Sequence, residues 1–167
     1  MGPTFRHRHQ PACENLSPAE VAALLASARS LQSAAAAGRP RPLLRGKNLG
    51  LLCDDDAQRD AMLFRRAATE LGARVAHIRN SLDAGTDSQR VLDTARMLGR
   101  LYDAVECEGL PHALVEQLAA EAGVPVYDGI ALPGHPTATL ADQLDGEPVS
   151  GDKRCYVVQA ALLSSIV

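Results

Sequence analysis

Asn48-Leu-Gly-Leu-Leu-Cys53 is a short apolar run that passes directly into Asp54-Asp-Asp56. Its length suits a strand buried on both faces and is too short for a core helix. A helical pattern follows from Gln58 to Leu71, and Gly72 ends it. The same grammar then repeats. Arg74-Val-Ala-His-Ile78 reads as a strand, a polar stretch from Asn80 to Asp87 follows, and Ser88 opens a helix to Leu101. Asp103-Ala-Val-Glu-Cys107 is the third strand. Pro111 starts a helix whose Leu114, Val115 and Leu118 share one face, Gly123 ends it, and Val124-Pro-Val-Tyr127 is the fourth strand. Upstream, Ser17-Pro-Ala-Glu20 is a capping box with proline at the first helical position. It opens a helix to about Ala37 with Val21, Leu24, Leu25, Ala28 and Leu31 on one stripe.

Short apolar strands alternating with helices predict an α/β fold: a three-layer α/β/α sandwich around a parallel sheet of about four strands. Ligands of such sheets sit beyond the carboxyl ends of the strands. Those ends carry Asp54–Asp56, Asn80, Glu108 and Asp128. The expected organisation is a tail over residues 1–14, one domain over 15–144, a turn-rich hinge over 145–151 and a helix over 152–167 docked on the same domain. Val157, Val158, Ala161, Leu162 and Ile166 give that last helix an apolar face.

Composition narrows the function. The chain has 167 residues, 46% hydrophobic and only 3% aromatic, so its core is Ala, Leu and Val packing. A net charge of −3 gives no basic face for nucleic acid. No apolar run reaches a membrane span, and the first residues lack the apolar stretch of a signal peptide. Four cysteines stand far apart with no C-x-x-C pair, which points to reduced thiols and a cytoplasmic setting. Cys53 and Cys107 lie at strand ends among acids, which raise a thiol pKa and disfavour nucleophilic catalysis. No cofactor motif is present, and no resident metal is expected. Asp54–Asp56 lacks the alternating spacing of a calcium loop, and His7 and His9 read as part of a basic tip. His77 and His112 show no partner in the sequence pattern and read as surface or turn residues.

Three ordered pieces add a family. D-T-A-R at Asp93–Arg96, V-P-V-Y-D-G at Val124–Gly129 and H-P-T at His135–Thr137 resemble the carbamoyl-phosphate half of aspartate and ornithine carbamoyltransferases. Leu43-Leu-Arg-Gly-Lys-Asn-Leu49 and E-L-G-A at Glu70–Ala73 extend the likeness, and Lys153-Arg-Cys-Tyr-Val-Val-Gln-Ala160 resembles the family's C-terminal helix. The resemblance implies a carbamoyl-phosphate domain fold, a small anionic or carbamoyl-containing ligand and a homotrimer. It also implies an amino-acid-binding domain between Leu144 and Lys153, where this sequence has only the hinge.

The resemblance also shows where the site departs. The family grips phosphate with S-T-R-T-R at a helix start, where hydroxyls, guanidinium and N–H groups meet a dianion. The matching stretch here is Ala57-Gln-Arg-Asp-Ala61, which leaves Arg59, with Gln58 beside it. Glu108 stands where the family has an arginine. His135 and Thr137 of the H-P-T-Q motif are kept, and Ala138 replaces its glutamine. In that motif the histidine polarises the carbamoyl carbonyl. Arg90, in the loop that reaches a neighbouring subunit in the family, is either a replacement cation or a solvated helix-start charge. The expected site is therefore His135 as the catalytic position and Gln58, Arg59, Arg90, Thr137 and Glu108 as ligand positions. Its acids oppose a phosphate dianion. Two function classes stay open: a carbamoyltransferase-like ligand module that does not carry out carbamoyl transfer alone, and a non-catalytic subunit using the trimer-forming surface, with a full-length paralogue as one possible partner.

Overall fold

The computed structural model describes residues 10–145 and 152–167. In chain order its elements are α1 (Pro18–Ala36), β1 (Asn48–Cys53), α2 (Arg59–Glu70), β2 (Arg74–Arg79), α3 (Ser88–Leu101), β3 (Ala104–Cys107), α4 (His112–Ala122), β4 (Val126–Asp128), a 3-10 turn (Ala138–Gln143) and α5 (Asp152–Ile166). The strands form one parallel sheet in the order β2-β1-β3-β4. The α/β expectation stands, with four strands as read. The capping box of α1 forms: Ser17 Oγ accepts from Glu20 N at 3.2 Å, and Glu20 Oε2 accepts from Ser17 N at 2.6 Å. The expected hinge falls, apart from Asp145, outside the described residues.

Side chains of successive strand residues point to opposite faces, and the core divides accordingly. Leu49, Leu51 and Cys53 of β1, Ala104 of β3 and Tyr127 of β4 join the core under α1, α2 and α5. Leu52 of β1, Val105 and Cys107 of β3 and Val126 of β4 join the core under α3 and α4. Helices on both faces explain why β1 and β3 read as nearly continuous apolar runs. β2 is an edge strand, and its Arg74, His77 and Arg79 are exposed. The other edge, β4, is met by the chain start, where Ala12 N donates to Val126 O at 2.7 Å and Ala12 and Cys13 are buried. All four cysteines are buried thiols outside any disulfide.

α5 belongs to the core. Val157, Val158, Ala160, Ala161 and Leu162 are buried against α1 and α2, and each such Val or Leu contributes about 1.5–3 kcal/mol. On the opposite face α3 and α4 touch backbone to backbone. A Cβ built at Gly99 would lie 1.7 Å from the carbonyl oxygen of Ala122. Neither partner is a flexible side chain, so one helix must shift. Gly99→Ala is expected to cost about 3 kcal/mol or more, read as a lowered urea midpoint. An unchanged midpoint would show that the helices are not this close.

Candidate functional site

The sheet order reverses direction at β1. From β1 the chain moves to β2 on one side, and β3 then takes the other side. In open parallel sheets such a reversal leaves a crevice at the carboxyl ends of the two strands. Glu108 stands in this crevice, its N–H donating to Leu52 O of β1 at 2.9 Å. One Glu108 carboxyl oxygen, Oε1, is buried without a hydrogen-bond partner among the described residues. Burial and the Asp60 carboxylate push Glu108 up to about 7.

Beside it, on β3, Glu106 is fully buried. A carboxyl group inside a strand must have donors, and the loop after β4 supplies them. Ile130 N donates to Glu106 Oε1 at 3.2 Å and Ala131 N to Oε2 at 3.4 Å. Gly129 makes this loop possible with a φ of +64° and a Cα that the Leu132 side chain overlies. Burial still holds the Glu106 carboxyl well above its ordinary range.

The same loop carries His135. Thr137 N donates to His135 Nδ1 at 3.1 Å, and Thr137 Oγ1 lies 2.8 Å from that nitrogen. Nδ1 is thus an acceptor, and the ring proton of neutral His135 sits on Nε2. Burial and the nearby Arg154 guanidinium lower His135 to about 4. At neutral pH it is an uncharged N–H donor, suited to polarising a carbonyl and unsuited to donating a full proton. Nε2 is buried and has no partner among the described residues.

Arg154 of α5 completes the group. Its Nη1 donates to Thr137 Oγ1 at 3.2 Å, and its Nη2 to the carbonyls of Ile130 at 2.8 Å and Leu132 at 3.0 Å. Asp60 acts electrostatically on both Glu108 and Arg154, and Arg154 acts on His135. The inner group is therefore Asp60, Glu106, Glu108, His135, Thr137 and Arg154.

Among the expected positions, the structure brings Thr137 to His135. It leaves Gln58, Arg59 and Arg90 exposed. Gln58 is the N-cap of α2 and Arg59 its first residue, and no side-chain cap bond draws Gln58 inward. The acid cluster also divides. Asp56 turns to Arg65 of α2 at 3.0 Å and to His77 of β2 at 3.6 Å, while Asp55 Oδ1 caps the turn at Ala57 N at 2.9 Å. Burial and this acidic surround push the Cys53 thiol up to about 11, as its acidic neighbours implied. His77 and His112 are exposed, as surface residues are, but the absence of partners in the sequence pattern does not carry over to the fold. His77 also bonds Cys53 O at 3.0 Å, and His112 contacts Asp128 and Glu116. His77 reaches Cys53 across 24 positions and His112 reaches Asp128 across 16, which no local pattern shows, whereas Glu116 is one helical turn from His112.

Glu106 and Arg154 were missed by sequence reasoning. A signal existed for both. Glu106 is the one charge inside an apolar strand, and Lys153 and Arg154 place two cations in the first turn of a helix, against its dipole. Lys153 Nζ likewise finds a carbonyl, Leu144 O at 2.8 Å.

The comparisons agree with this architecture. Residues 8–145 match the aspartate/ornithine carbamoyltransferase carbamoyl-P binding domain, so the chain belongs to that family through this domain. Among solved structures, ornithine carbamoyltransferase from Pyrococcus furiosus is 30% identical, with a TM-score of 0.63, 74% of this chain covered and 40% of that one. Ornithine carbamoyltransferase from Campylobacter jejuni is 26% identical, with a TM-score of 0.65 and coverages of 81% and 44%. Aspartate transcarbamoylase from Trypanosoma cruzi, solved with N-(phosphonacetyl)-L-aspartic acid, shares the fold at 23% identity and a TM-score of 0.63, with coverages of 81% and 44%. The chain spans less than half the length of each. No described helix is long and apolar enough to cross a membrane.

The Glu108 assignment has a pH signature. A carboxyl raised in the folded state, to about 7 from an ordinary 4.5, holds its proton where the unfolded chain has lost it. Its stabilisation is full below the ordinary value and is lost as pH rises through 7. Partial solvent exposure reduces the effect to about 1–2 kcal/mol. Between pH 5 and pH 8, wild type is expected to lose that much more stability in urea unfolding than Glu108→Gln. His135 titrates in both proteins and cancels, whereas Glu106, whose carboxyl the Glu108 charge helps to raise, adds to the difference in the same direction. Equal losses would show that Glu108 is not held protonated.

Proposed function

We propose that this chain is a carbamoyltransferase-family domain protein that does not by itself transfer a carbamoyl group from carbamoyl phosphate to ornithine or aspartate. The observation that carries this reading is the allocation of charge at the strand ends. Arg154 is committed to Thr137 Oγ1 and two backbone carbonyls. Asp60, Glu106 and Glu108 are carboxyl groups of the same inner group, and Arg59 is exposed. A phosphate dianion entering beside ionised Asp60 or Glu108 meets repulsion of about 4 kcal/mol per pair at ~4 Å and an effective dielectric of ~20. A guanidinium at position 108, which the family resemblance implies, would reverse that sign. What remains is a carbonyl-polarising donor at His135 Nε2 without a phosphate grip.

The test is direct. Purified protein with carbamoyl phosphate and either ornithine or aspartate is expected to form no citrulline or carbamoyl-aspartate above the protein-free rate. Millimolar carbamoyl phosphate is expected to leave Tm unchanged, whereas Glu108→Arg should acquire an upward shift. Product formation by the wild-type chain would overturn the reading.

One observation favours the subunit reading beside it. Met97 and Leu101 of α3 are about half exposed, at 49% and 58%, and with Asp93, Arg96 and Arg100 they line a depression of about 380 Å³. None of these residues belongs to the inner group, and the face suits contact with a protein. A homotrimer formed through it would have three times the 17.7 kDa chain mass in light scattering, and Met97→Glu with Leu101→Glu would return the monomer. A monomeric wild type would remove this reading without touching the first.

A further inference from the structure

At the far edge of the sheet, three carboxyl groups converge on one imidazole. His112, the first residue of α4, places Nδ1 2.5 Å from Asp128 Oδ2 and 3.9 Å from Glu14 Oε1. Its other nitrogen, Nε2, lies 3.2 Å from Glu116 Oε1, one turn along α4. The ligand atoms of Glu14, His112 and Asp128 all lie within 4.8 Å of one another. They arrive from three separate segments, each fixed by the fold. Asp128 ends β4, in register with Cys107. His112 starts a helix whose apolar side is buried. Glu14 follows the segment anchored by Ala12 N to Val126 O at 2.7 Å.

Asp128, hydrogen-bonded to Nδ1, raises His112 above its ordinary value, and even so protein groups alone leave this point short of positive charge. With Nε2–H donating to Glu116, neutral His112 turns the lone pair of Nδ1 toward two carboxylates. A proton on Nδ1 supplies one positive charge against three carboxylates. The charged neighbours of Glu14 are His112, Asp128 and Glu116, and burial with the two like charges holds its carboxyl above the ordinary range despite the histidine. A divalent ion would supply the missing charge. We propose that Glu14 Oε1, His112 Nδ1 and Asp128 Oδ2 bind one Zn²⁺-class ion, with water at its remaining position.

The donor set and the dimensions suit that ion. Imidazole nitrogen and carboxylate oxygen are both zinc ligand types, and the imidazole disfavours magnesium. Tetrahedral bonds of about 2.0–2.1 Å place ligand atoms about 3.3 Å apart. The observed 2.5 and 3.9 Å bracket this spacing. The His112 side chain is 55% exposed and has room to rotate, whereas those of Glu14 and Asp128 are 20% exposed and held. Glu116 on Nε2 supplies the carboxylate–histidine support that orients metal-bound imidazoles. The ion would tie the chain start to the carboxyl end of β4.

The test uses the full chain carrying His7→Ala and His9→Ala, which removes the other paired imidazoles. After chelation and dialysis, Zn²⁺ titration is expected to show one equivalent bound and an upward Tm shift, with no comparable response to equal Mg²⁺. His112→Ala should weaken binding at least 100-fold, and Glu116→Gln about 10-fold. Binding should also weaken at pH 5.5, where a proton on His112 competes among Glu14, Glu116 and Asp128. Circular dichroism confirms that His112→Ala is folded, and Asp128→Asn gives an independent loss if it is not. No binding at 100 µM Zn²⁺, equal response to Mg²⁺, or undiminished binding in both variants would overturn the site.

Discussion

Covering a narrow parallel sheet on both faces is the constraint from which the rest of this structure follows. Strands β1 and β3 have helices above and below, so polar groups are displaced to the strand ends. Small residues let the two helical layers close down without aromatic filling. Phe64 and Tyr127 are the large fully buried aromatics, and Gly99 brings α3 onto the backbone of α4. The order β2-β1-β3-β4 then leaves the ends of β1 and β3 as the place where polar chemistry gathers.

Glu106 is the exception inside that sheet, and it organises what lies beyond. Its buried carboxyl receives the N–H groups of Ile130 and Ala131. The carbonyls of Ile130 and Leu132, in turn, receive Arg154 from α5. Arg154 also holds Thr137, which sets the tautomer of His135. One buried carboxyl group, one loop and one guanidinium thus connect the sheet interior, the last helix and the candidate site. A buried ionisable chain of this sort is costly to break, because each removed partner leaves another buried group unpaired. The same chain accounts for the functional reading, since a guanidinium engaged by carbonyls is not available to an incoming phosphate.

Much of this was legible in the residues. The strand–helix alternation placed β1 and α3 at their observed bounds, because apolar runs and apolar periodicity are local signals. His135 and Thr137 were singled out through the H-P-T motif, and Glu108 through its strand-end place and the family resemblance. Gln58, Arg59 and Arg90 were expected in the site and lie on the surface. Sequence position specifies that Arg59 starts α2, but the direction of a long exposed side chain at a helix start is left open.

The sequence by itself determined the α/β class, the family domain and the acidic residue at position 108. These rest on periodicity, ordered motifs and residue type, all readable along the chain. Tertiary structure alone decided that Arg154 meets Thr137 across 17 positions and that His112 faces Glu14 and Asp128. Those pairings depend on which helix covers which face and where each strand ends. Packing of remote apolar stripes sets both, and no local propensity encodes them.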